Sequence, residues 1–102
     1  MTPGFAFQHM RSVIMAMPHT ELVYEYQNGE SVLQAVCKIP LFRFRDDLII
    51  RIRPLRERVV IDTRSRSRLG SGDYGANARR IERLFRDFEL LLAEKQQQMD
   101  KR

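Results

Sequence analysis

A chain of 102 residues is long enough for one domain with one modest core, and 43% hydrophobic with 30% charged residues excludes a disordered chain. Cys37 stands alone, which excludes an internal disulfide and a cysteine metal cluster, and no apolar run approaches the roughly 20 residues that span a bilayer. The net charge of +5 is concentrated between Arg43 and Arg68, where nine arginines face Asp46, Asp47, Glu57 and Asp62; that imbalance implies an anionic partner or a solvated face with its own ion pairs.

Phe7, Met10, Val13, Ile14 and Met17 recur at three- and four-residue steps, which predicts a helix over residues 4–17, stopped by Pro18. A first strand over 20–27 puts Leu22, Tyr24 and Tyr26 on one face, and Asn28-Gly29 then signals a hairpin. A second strand over 30–39 aligns Leu33, Ala35, Cys37 and Ile39, so Cys37 reads as a buried, inert thiol; Pro40 ends the strand. Residues 41–45 read as a connection or a bulged continuation of the strand, with Phe42 and Phe44 packed inward. A third strand over 47–53 carries Leu48, Ile50 and Ile52, a polar turn covers 54–58, and a fourth strand runs over 59–67.

The last helix is predicted to begin near Tyr74, with Asp73 as N-cap and Ile81, Leu84, Phe85, Phe88, Leu91 and Leu92 as its apolar stripe. Residues 1–92 are therefore one domain, and 93–102 a polar tail that extends the helix or is disordered. The order α-β-β-β-β-α with short links predicts a two-layer α+β domain: a four-stranded antiparallel meander with both helices on one face.

Alternation divides the fourth strand. If Val59 and Ile61 face the helices, so do Thr63, Ser65 and Ser67, while Val60, Asp62, Arg64, Arg66 and Arg68 face outward. Val23, Val32, Val36 and Ile49 share that outer face, and a mixed apolar and basic face suggests cover by a second copy or another partner. On the helix side the serines approach Asn77 and Arg80 at the start of the last helix. This reads first as a structural polar cluster, with Arg68 paired to Asp73 or Asp46, and second as a ligand cleft.

Three segments carry a resemblance: Phe42-Arg43-Phe44-Arg45-Asp46-Asp47, then Arg64-Ser65-Arg66-Ser67-Arg68-Leu69-Gly70, then Asp73-Tyr74-Gly75-Ala76-Asn77 with Arg80. They resemble the domain of unknown function (DUF) family numbered 1499, over roughly Phe7 to Phe88. The resemblance implies no activity. It singles out Asp46, Asp47, Arg64, Ser65, Ser67, Arg68, Gly70, Asp73, Gly75, Asn77 and Arg80 as shared with the family pattern. Family members often carry a Cys/Pro-rich segment ahead of the first helix, frequently behind a secretion or lipoprotein signal. No such segment and no signal peptide is visible here, so a cytoplasmic protein is the default expectation, with an envelope location left to a longer parent protein.

These residues support a binding or interaction module that holds an anionic small molecule or an acidic protein through Arg64, Ser65, Arg66, Ser67, Arg68, Asp73, Asn77, Arg80, Asp46 and Asp47. A homo-oligomer through the outer sheet face is a related reading. A nucleic-acid-binding domain is the alternative, although no aromatic platform is expected beside the arginines. A hydrolase-like enzyme is the weakest: adjacent Asp46 and Asp47 point to opposite faces of a strand, and neither His9 nor His19 has a visible partner. No cofactor, metal or catalytic residue is implied.

Overall fold

A helix N-terminus forms where Thr2 Oγ1 accepts a hydrogen bond from the Phe5 N–H at 3.1 Å, with Pro3 in the first turn where its missing N–H is harmless. The structure, a computed structural model, describes residues 1–38, 44–68 and 75–100. Helix α1 (Pro3–Ala16) buries Ala6, Phe7, Met10, Val13 and Ile14. It ends at Met17, whose backbone is extended and whose N–H returns to the Ile14 carbonyl. His19, at a φ of 56°, then turns the chain into the sheet.

The strands are β1 (Thr20–Asn28), β2 (Glu30–Lys38), β3 (Arg45–Leu55) and β4 (Arg58–Ser67), followed by α2 (Ala76–Asp100). They pair antiparallel in chain order, which is the expected meander. Leu33, Ala35, Cys37, Leu48, Ile50 and Ile52 form the inner face of the sheet, and Leu84 and Phe88 of α2 close the core over it. Cys37 is buried, with the Thr20 hydroxyl 3.7 Å from its sulfur. Gly29 closes the first hairpin at a φ of 75°, and nothing lies within 4 Å of where a Cβ would stand. Gly29→Ala should therefore lose about 1–2 kcal/mol through backbone conformation alone, read as a lower denaturation midpoint at unchanged slope.

Three expectations need correction. First, β1 is not one regular strand: the register slips between Leu22 and Tyr24, which leaves Val23 as an extra residue. Leu22 pairs with the inner residue Ala35, but Tyr24 and Tyr26 pair with Gln34 and Val32 of the outer face. A side-chain period of two turns every later residue over when one residue is inserted. Glu25 thus reaches the helix side and meets Arg11 of α1 at 3.2 Å. Second, Phe44 is not packed inward but is 46% exposed. Third, Arg68 has a different partner, described below. The expected N-cap Asp73, the strand end at Ile39 and Pro40, and Phe42 and Gly70 lie outside the described residues. Helix α2 continues past Leu92, and residues 93–98 are all exposed.

Candidate functional site

Pairing of β3 with β4 sets which side chains share a face. Asp46 lies opposite Ser67, Leu48 opposite Ser65 and Ile50 opposite Thr63, all on the helix side. Asp47 lies opposite Arg66, Ile49 opposite Arg64 and Arg51 opposite Asp62, all on the outer side. No slip interrupts this ladder, so guanidinium groups and hydroxyls of β4 occupy opposite faces.

On the helix side, Asn77 in the first turn of α2 and Arg80 three residues later share one face of the helix and reach down to β4. Ser65 Oγ donates to Asn77 Oδ1, and Asn77 Nδ2 donates to Ser67 Oγ at 3.1 Å. Arg80 Nη1 donates to Ser65 Oγ at 2.9 Å and to Asn77 Oδ1 at 2.7 Å. The same nitrogen stands 2.9 Å from Asp46 Oδ2. It carries two hydrogens and faces three oxygens, and the serine and the amide receive them. Asp46 is held by charge: its side chain is 1% exposed, and among the described residues neither carboxylate oxygen has a hydrogen-bond donor. The cluster ties the start of α2 to β3 and β4.

The outer face has a different chemistry. Cross-strand rows read Tyr24–Gln34–Ile49–Arg64, then Tyr26–Val32–Arg51–Asp62, and Glu21–Val36–Asp47–Arg66. Every carboxylate in these rows, and Glu30 beside them, is already matched by a cation. Lys38 meets Glu21, Arg51 meets Glu30, Arg53 meets Asp62 and Arg68 meets Asp47. Arg68 grips Asp47 with two nitrogens, at 2.9–3.1 Å, rather than Asp46 or Asp73; that carboxylate, first by hydrogen bond and then by charge, raises the Arg68 pKa above its ordinary value. Among the described residues Arg45, Arg64 and Arg66, clustered at one end of the β3–β4 pair, have no carboxylate partner, and neither does Arg58 at the other end.

A trough of about 760 Å³ crosses this face, lined by Val32, Gln34 and Ile49 with Tyr24, Arg51, Arg64 and the Arg53-paired Asp62. Tyr24 is 49% and Tyr26 47% exposed. The candidate residues of the sequence thus separate. Asp46, Ser65, Ser67, Asn77 and Arg80 converge beneath α2, whereas Asp47, Arg64, Arg66 and Arg68 lie on the opposite face. Asp73 is outside the described residues. Tyr24, Tyr26 and Arg45 stand on this outer face too, which alternation does not predict for the tyrosines; no glycine or proline marks the bulge at Val23 that brings them over.

An open four-stranded meander with two helices on one face and a charged second face defines a two-layer α+β domain. The chain belongs to the family described as "Protein of unknown function (DUF1499)", whose model matches residues 2–88. No curated protein and no solved structure matches it. Among the described residues no helix is long and apolar enough to cross a membrane.

Proposed function

We propose that this domain is a binding module that takes an anionic ligand on the outer face of its sheet. One observation carries the reading: among the described residues Arg45, Arg64 and Arg66, all on one half of the β3–β4 pair, have no ion-pair partner, while the acids beside them, Asp47 and Asp62, are held by Arg68 and Arg53. Exposed guanidinium groups without a counter-charge raise the local concentration of anions and can bind phosphate or carboxylate in a bidentate fork. The arginine half of β4 serves this role. The serine half is turned inward, where its hydroxyls are spent on Asn77 and Arg80. A second copy docking face to face would bring the same cationic cluster near itself, so charge favours an acidic occupant over self-association.

The test is titration with inorganic polyphosphate at several salt concentrations. Arg64→Ala/Arg66→Ala should weaken binding by at least about tenfold and flatten the salt dependence by about one unit of log–log slope for each phosphate no longer neutralised. Wild-type affinity in this variant, or a loss produced instead by Asn77→Ala with the arginines intact, contradicts the proposal.

A further inference from the structure

We infer that the anionic ligand is a single-stranded nucleic acid, with its phosphates along the Arg64 and Arg66 edge and its bases laid across the trough onto Tyr24 and Tyr26. The inference rests on the anion-binding reading and adds the tyrosines to it. A surface that needed only charge would have no use for two half-exposed rings. Here both rings stand on the outer face, at the edge of the sheet farthest from β4. Among the described residues neither stacks on another ring; the aromatic pair found there is Phe5 with His9 on α1. The Tyr26 hydroxyl is held by Asn28 Nδ2 at 3.2 Å, which limits its motion.

The dimensions fit a strand laid in this way. Four neighbouring strands place Tyr24 and Arg64 about 14 Å apart across the sheet, with Ile49 and Gln34 between them. Tyr24 and Tyr26 repeat about every 7 Å along β1, and Arg64 and Arg66 repeat at the same interval along β4. Base faces stack on aromatic rings whatever their sequence, while the backbone follows a basic groove. A duplex hides its base faces, and an acidic peptide or a lone phosphate group leaves the tyrosines without work. The apolar Val32 and Ile49 suit a base face better than a fully charged polymer, and Gln34 beside them can hydrogen-bond a base edge.

Fluorescence anisotropy separates the possibilities, with four probes offered to the whole chain: oligothymidine of about 12 nucleotides, a duplex of that length, and inorganic polyphosphate and poly-glutamate of matched charge. The wild type should bind oligothymidine at least about tenfold more tightly than the other three. Tyr24→Ala and Tyr26→Ala should each lose at least about fivefold for oligothymidine and nothing for polyphosphate, and Tyr24→Phe should retain binding. Both tyrosines are about half exposed, so the unfolding midpoint serves as a check that the variants remain folded. Polyphosphate or duplex binding as tight as oligothymidine, or tyrosine variants that bind it normally, overturns this inference and leaves the anion site standing. Tighter binding of a poly-glutamate of matched charge overturns it in favour of an acidic protein. If no anionic probe binds, the proposed function fails with it.

Discussion

Replacing Arg80 with methionine should lower the stability of the domain by about 3–5 kcal/mol, the usual result of stripping a buried charge of its partner. Asp46 is 1% exposed on its side chain and Arg80 14%, so water cannot take over the lost role. Among the described residues the carboxylate has no hydrogen bond to fall back on, and Ser65 and Asn77 lose the same donor at once. A domain of this size has only about 5–15 kcal/mol to lose. The companion variant Asp46→Leu/Arg80→Met removes both charges together and should recover most of the loss, because an apolar pair needs no counter-ion. Chemical denaturation checks both variants. A loss under about 1 kcal/mol in the single variant would show that the Asp46–Arg80 pair does not tie α2 to the sheet.

Leu84→Ala should have an effect of the same order, about 2–5 kcal/mol, for a different reason. Leu84 and Phe88 are the residues of α2 that are fully enclosed among the described residues; Phe85, Leu91 and Leu92 are only partly covered. Truncation therefore opens a cavity where α2 meets the rest of the core. Amide exchange in α2 should accelerate more than in α1, whose Phe7, Met10 and Ile14 keep their own packing in the core. Leu90→Ala is the control: that side chain is 58% exposed, and its loss should stay within about 0.5 kcal/mol. Equal effects at Leu84 and Leu90 would mean that α2 is not seated as described.

Much of this architecture is legible in the residues, because the physical signals agree with one another. The three-and-four spacing of Phe7, Met10, Val13 and Ile14 can be satisfied by a helix with one buried stripe. Asn28-Gly29 sits where the chain must reverse with a positive φ. In β4 the apolar Val59 and Ile61 set a parity that Thr63, Ser65 and Ser67 must follow, so both faces of that strand can be read in advance.

The site was less legible, and β1 shows why. Leu22, Tyr24 and Tyr26 alternate as a regular inner face would, but Val23 is also apolar and can leave the ladder without burying a charge. Tyrosine tolerates either face, since its ring packs and its hydroxyl stays wet. Alternation alone therefore could not show the register slip. Ion pairing was hidden for a related reason: Asp46 and Asp47 are neighbours in the chain but occupy opposite faces. Arg80 beneath α2 and Arg68 on the outer side thus divide them in a way that depends on three-dimensional reach.

On the proposed reading, anions meet the outward arginines and not the hydroxyl cluster beneath α2. Each arginine Nε–H gives its own signal in a ¹⁵N-correlated NMR spectrum, so a titration with oligothymidine or polyphosphate reads the two faces separately. Arg45, Arg64 and Arg66 should shift together while Arg80 stays fixed. Movement of Arg80 with Arg64 and Arg66 unmoved would place the ligand under the helix and contradict the account.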